Sequence, residues 1–386
     1  MRKTEERRFW KGKNGDSYVT TLPMEWIKDY IPGYDKKENR VYRLSQIKST
    51  ILITPQTKEE KTKQLELKIN SNNTDEIYYS VISAYLQDYN SVCLQEQGPN
   101  PTLKNKLNKI DEKLPGAEFG KDGDDYVVKF ERKIENIPKK VDEIYEHYKE
   151  LYSQNQKMFS GKIKKKSDIE MEHKIVTKKE SLVDNKVYAL KRLFTHVFET
   201  FLQNPEILIK TGLHRDEEGI DYTAAYKIAG YRSIANNLER VTDIQRDIFE
   251  LLMKISDSEN DLRQGVGFDF SKYYDKAHEM IKDAYESKRV VENLDSSKEG
   301  FDCLLKVLAS EDNEDDGIRY RQKYISYFER KKILNYVKSK KSPELVALEG
   351  LIWGSTGLAT NIAESWVNMS DLPKLNKYLD VSKKKK

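Results

Sequence analysis

Three stretches of this chain place side chains three and four residues apart, and that spacing constrains its fold more than any other feature. Val183, Val187, Leu190, Phe194, Val197 and Phe201 form the first stretch. Ile234, Leu238, Val241, Gln245, Ile248, Leu252 and Ile255 form the second, and Leu348, Ile352, Ser355, Ala359, Ile362 and Trp366 the third. Steps of three and four keep side chains on one side of an α-helix, so each run predicts a long helix with one face to bury. Long antiparallel helices in bundles satisfy all three at once.

The rest of the composition fits that reading. Charged residues make up 34% of the chain and supply the outer helix faces, while the 37% that are hydrophobic suffice for the inner ones. At 386 residues the chain exceeds one ordinary core and predicts two or three domains. Lysine and arginine number 68 against 64 acidic residues, a net charge of +4, so any argument for nucleic acid must be local.

The opening residues differ from everything after them. Ser17 to Leu22, Arg40 to Leu44 and Thr50 to Ile53 alternate or are β-branched and read as short strands, with Asn14-Gly15 as turn chemistry and Pro23 to Lys28 as a short helical turn. After a polar connector, Leu65 to Ile69 reads as a strand, Glu76 to Asn90 as a helix, Pro99 to Gly123 as turn-rich, and Tyr126 to Phe130 as a strand. Pro138 opens the helical regime. The expected class is mainly α: a small β-rich module over 1–56, a mixed α/β segment over 57–137, and helical units over 138–260 and 261–386.

The two helical units read as a repeat. Leu238 to Ile244, continuing to Ile248, lies in register with Ile352 to Leu358, continuing to Ile362, and Val176 to Asp184 resembles Val307 to Asp315, with acidic residues that would open a helix. Gly350, Gly354 and Gly357 suggest a close helix approach, because glycine costs about 1 kcal/mol inside a helix and wants a packing reason.

No stretch approaches the roughly 18 apolar residues that span a bilayer, and the first twenty residues lack the apolar core of a signal peptide, so the expected location is cytoplasmic. Cys93 and Cys303 are far apart and read as small hydrophobes. No Gly-x-x-x-x-Gly-Lys-Ser/Thr loop, Gly-x-Ser-x-Gly elbow or His-Glu-x-x-His pair is present. The five histidines lack zinc spacing, and His196 is expected as a satisfied interfacial side chain.

Two pairs of acidic residues carry the candidate chemistry. Glu180 with Asp184, and Glu239 with Asp243, lie four apart, so each pair projects from one helix face. Like charges at that spacing repel, and two such pairs facing each other would call for a cation between them. Near the N-terminus, Arg2, Lys3, Arg7, Arg8, Lys11 and Lys13 stand against Glu5 and Glu6, a patch able to neutralise phosphates. An enzymatic alternative is a carboxylate di-metal bundle, since Glu170-x-x-His173 fits its Glu-x-x-His motif; the second copy it needs has Asp275-x-x-His278, in the other repeat, as its only candidate.

With Leu-Glu-Arg-Val-Thr-Asp at 238–243, the acidic residues at 180 and 184, and the frame repeated near the C-terminus, residues from about 138 to 372 resemble the PhoU family. Arg7-Arg8-Phe9, Lys11, Lys13 and the run Asn14 to Pro23 with Glu25-Trp26 resemble the AbrB-type swapped-hairpin domain. The resemblance implies two three-helix bundles, with Glu180, Asp184, Glu239 and Asp243 binding metal ions (iron, zinc, manganese or magnesium). It also implies an interlocked homodimer meeting duplex DNA through the N-terminal module, in regulation of phosphate uptake rather than enzymatic catalysis. An adaptor that docks on a phosphate transporter or sensor protein without binding DNA is the alternative. In the second unit Trp353 and Gly357 stand at the acidic positions, leaving only Glu311, Asp312, Glu314, Asp315 and Asp316 upstream.

Overall fold

The computed structural model describes residues 10–11, 18–19, 42–47, 50–55, 64–68, 73–95, 101–123, 125–163, 165–201, 206–213, 223–258, 262–292, 297–310 and 313–370. Within them the chain is mainly helical. The N-terminal part shows two antiparallel pairs: β1 (Trp10–Lys11) with β2 (Tyr18–Val19), and β3 (Tyr42–Ile47) with β4 (Thr50–Pro55). The expected swapped hairpin, the helical turn at 23–28 and the side chains of Arg2, Lys3, Arg7, Arg8, Lys11 and Lys13 lie outside the described residues.

A four-stranded sheet follows. Its strands are β5 (Gln64–Lys68), β6 (Ser91–Gln95), β7 (Ala117–Asp122) and β8 (Asp125–Phe130), ordered β5-β6-β8-β7. β5 and β6 are parallel, so the chain must cross over between them, and α1 (Thr74–Leu86) is that crossover. Asn73 starts α1 by accepting the amide of Glu76 at 3.2 Å. Val92, Leu94, Val128 and Phe130 share one sheet face and pack with Val81 and Tyr85 of α1 and with Leu103 and Leu107 of α2 (Pro101–Leu107). Residues 99–123, expected as turns, thus contribute a helix and β7. Leu103 and Leu107 are four apart and buried, a pattern too short to stand out among charges.

The helical body begins with α3 (Ile137–Phe159), where Asn136 caps the amide of Lys139 at 2.9 Å and Pro138 sits in the first turn. It continues through α4 (Lys166–Thr200), α5 (Thr223–Ser258), α6 (Leu262–Glu286), α7 (Ser297–Leu308), the hairpin of β9 (Asn313–Asp315) and β10 (Ile318–Tyr320), α8 (Tyr327–Lys340) and α9 (Pro343–Met369). α5 packs against α3 and α4, α9 packs against α6, and α5 and α9 lie along each other at the centre. One continuous apolar core runs from Ile137 to Met369. No helix among the described residues is long and apolar enough to cross a membrane.

The three stripes face that core. Val183, Val187, Ile234, Leu238, Ile248, Leu348, Ile352 and Ile362 are all fully enclosed. Gln245, a polar member of the second stripe, is buried because Asn155 donates to its side chain at 3.0 Å and Tyr274 donates to it as well. Positions matched between the two sequence repeats are buried alike: Leu238 and Ile352, Thr242 and Thr356, and Ile248 and Ile362 have no exposed surface. Further upstream the match fails. Val176 to Asp184 lies in the middle of α4, not at a helix start, whereas Asn313 to Asp315 forms a strand.

The glycines correct another expectation. Among the described residues nothing lies within 4 Å of a Cβ built on Gly350, Gly354 or Gly357, so that face of α9 is open. The close approach is at Gly230, where such a Cβ would fall 2.3 Å from Met369 Cγ, allowing α5 to meet the end of α9. Gly350→Ala and Gly354→Ala are therefore expected each to raise stability by up to about 1 kcal/mol, read as a higher urea midpoint. A loss of stability in either variant would contradict an open face.

Candidate metal centre

Helices α4 and α5 run antiparallel, so residues near 180 face residues near 246 while those near 191 face 239. Each turn of α4 and α5 brings its apolar stripe to the core, and the residues at the stripe's edge meet across the seam. Glu180 and Asp184 from α4 and Asp243 from α5 converge there, each with a carboxylate oxygen within 4.8 Å of the other two. Glu180 is buried and the two aspartates are half-buried. This is the only group of three such ligands among the described residues.

The electrostatics follow from that crowding. Burial, then the carboxylates of Glu180, Asp243 and Glu239, push the Asp184 carboxyl up to about 7. Asp243 is pushed up to about 6, again first by burial, with Arg246 opposing and Glu180, Glu239 and Asp247 reinforcing. The guanidinium of Arg246 donates to Glu180 and to Asp247 at 2.9 Å and stands 4.0 Å from Asp243. Among the described residues no donor is hydrogen-bonded to Asp184. The cage thus holds more negative charge than one guanidinium balances.

Comparison with protein-family models, with curated proteins and with solved structures returns no match. The site therefore stands on its own geometry. Three carboxylates supplied by two helices are hard oxygen donors and could hold a metal ion. Glu239 is not part of the group: Lys191 draws its carboxylate off at 2.9 Å. Of the four acidic residues singled out by spacing, three come together and the fourth is on the rim.

The motifs of the enzymatic alternative are separated from this cage and from each other. His173 on α4 lies 3.8 Å from Glu250, whereas His278 on α6 sits 2.6 Å from the Tyr148 hydroxyl and stacks on Tyr152. Burial holds the His278 imidazole down at about 4, so it is neutral at physiological pH. Asp275 accepts from Tyr152 and Gln156. These are packing contacts between α3 and α6.

Acidic spacing alone does not mark Arg246 or Lys191, although Arg246 lies three residues after Asp243 on the same helix face. A third acidic pair at the same spacing, Glu279-x-x-x-Asp283, lies on α6. There Lys306 donates to Glu279 at 2.7 Å and to Asp283 at 2.8 Å, so an ammonium occupies the position between the carboxylates. At the positions of Glu239 and Asp243 in the second unit, Trp353 carries the Arg330 guanidinium 3.5 Å above its ring, and Arg330 also binds buried Glu349 at 3.1 Å. In the second unit, then, protein cations neutralise the acidic groups. The acidic run at 311–316 falls partly outside the described residues; its described members Glu314, Asp315 and Asp316 are exposed on the β9–β10 hairpin.

Proposed function

We propose that this chain is a regulator rather than an enzyme, with a metal ion held between α4 and α5 and duplex DNA met by the basic N-terminal module of a homodimer. The observation that carries the reading is the convergence of Glu180, Asp184 and Asp243 within 4.8 Å. The resemblance of residues 138–372 to PhoU proteins, and of the opening residues to AbrB-type domains, supplies the biological direction: control of phosphate uptake by two three-helix bundles carrying a DNA-binding module. Among the described residues the carboxylates of the cage offer ligands and Arg246 offers counter-charge.

Elemental analysis of the protein purified from metal-replete medium tests the cage. Stoichiometric manganese, iron, zinc or magnesium that disappears in Asp184→Ala/Asp243→Ala is the expected result, and a metal-free wild-type protein would remove the sensing role. Lys191 and Glu239 should be dispensable for stoichiometry. DNA binding is tested by its salt dependence, since each phosphate contact releases counterions. Arg7→Ala/Arg8→Ala is expected to abolish binding while leaving the dimer intact; a wild-type chain indifferent to duplex DNA would favour the adaptor reading.

A further inference from the structure

Helix α4 has a second working face. Asn185, Tyr188, Arg192, Thr195 and His196 follow one another by three, four, three and one, and all reach the α/β unit of residues 64–135. Asn185 donates to the carbonyl of Glu112 at 2.7 Å, and Thr195 to that of Leu86 at 3.0 Å. Tyr188 packs on the α/β core and has the Lys113 ammonium 5.9 Å from its ring centroid. Arg192 donates to the carbonyls of Glu131 at 2.7 Å and of Tyr89 and Phe130 at 3.2 Å, and stacks 4.8 Å above the Tyr85 ring.

The centre of this seam is Asp88. It sits in the turn between α1 and β6 with a left-handed φ of 61° and is 2% exposed. Its carboxylate accepts from Arg132 at 2.9 and 2.7 Å and from Arg192 at 3.2 Å, with His196 Nδ1 3.1 Å away. Two guanidiniums and an imidazole thus clamp one buried carboxylate. Separating such a set strands charge in a poorly solvated place, so the clasp resists opening more than the more exposed ion pairs across the α4–α5 seam, Arg246 with Glu180 and Lys191 with Glu239, resist a small slide.

We propose that the clasp makes the α/β unit and helix α4 a single lever, so that a change in how α4 sits on α5 at the carboxylate cage is delivered to the sheet. The source of that change rests on the metal reading given above. Glu180 and Asp184 lie on the turn of α4 immediately before Asn185, the first residue of the clasp face. A cation in the cage draws Asp243 of α5 toward them, whereas the empty cage repels. The contacts named here tie the α/β unit to α4, so it follows α4 when the two helices shift. Residues 64–135, which lie in sequence between the N-terminal module and the helical body, are then the coupling element between the two.

Hydrogen exchange followed by mass spectrometry, on the full-length chain, tests the lever in two independent arms. In the first, Mn2+ is added to the metal-free protein. In the second, Asp184→Asn/Asp243→Asn removes the repulsion without any metal. Each is expected to change protection of α1 and β6 by about threefold or more, together with α4. If Mn2+ does not bind but the double variant alters α1 and β6, the lever stands and the metal reading fails. If Mn2+ binds and neither arm alters them, the lever is wrong and the metal reading stands. If α4 changes while α1 and β6 do not, the clasp does not transmit.

Discussion

Arg192→Met is expected to lower the stability of the protein by about 2–4 kcal/mol, the cost of leaving several buried acceptors without their donor. The side chain is 3% exposed, and its guanidinium serves Asp88 and three backbone carbonyls at once. Methionine fills much of the same volume but leaves those acceptors without a donor in a place that water does not reach. Arg132 continues to neutralise Asp88 and His196 Nδ1 stays 3.1 Å from it, so the loss falls mainly on the carbonyls of Tyr89, Phe130 and Glu131. Urea unfolding monitored by circular dichroism measures it. Arg132→Met is the comparison: its side chain is 20% exposed, water replaces part of what it gave, and its cost should be visibly smaller. Equal costs would mean that Arg192 contributes no more to the clasp around Asp88 than Arg132 does.

The metal-free protein is expected to lose stability as pH rises from about 4 to about 7, opposite to the usual behaviour of a chain rich in paired carboxylates. Asp184 and Asp243 titrate at about 7 and about 6 when folded, against an ordinary aspartate value of 3.8. The folded chain therefore holds these protons more tightly than the unfolded chain. Their contribution is fully present below the ordinary value and is lost as pH rises through about 6 and then about 7. Both groups are half-exposed, so after allowance for solvent screening the pair contributes roughly 1–2 kcal/mol. Carboxylates held low by lysines, such as Glu143 and Glu329, act in the other direction only at more acid pH. Asp184→Asn should flatten the slope and stabilise the protein at pH 8. A divalent cation bound in the cage should do the same for the wild type at pH 8, and much less at pH 5, where the proton competes with it. A metal-free wild type whose stability is level across this window would show that the carboxylates do not repel one another.

The helices were legible because their signal is local. A stripe such as Val183, Val187, Leu190, Phe194 and Val197 can be buried only by turning all its members to one side, and propagation along a helix makes that choice without reference to distant residues. Pro138 marked the start of α3 for the same reason. The α/β unit was only half legible: β5, α1 and β8 show their patterns, while α2 and β7 are short and amid charge, and take their structure from the sheet they complete. The glycines of α9 misled because their cost is local but their cause is not. The sequence reports that a side chain is missing, and only the neighbouring helix reveals that the intimate contact is at Gly230.

The carboxylate cage shows the same division. Spacing placed Glu180 with Asp184 and Glu239 with Asp243 on common faces, because three and four residues make one helical turn. Which of the four would meet depended on the offset between two antiparallel helices, a quantity set by the packing of the whole core. That offset brings Asp243 to the α4 pair, leaves Glu239 to Lys191, and introduces Arg246 as counter-charge. The Asp88 clasp joins residues about a hundred positions apart, and no period in the sequence announces it. Sequence by itself determined the helices, their buried faces and the candidate acidic positions, since each follows from interactions within a turn or two. Tertiary structure alone decided the register between helices, and with it which charges are brought together and which are neutralised from a distance.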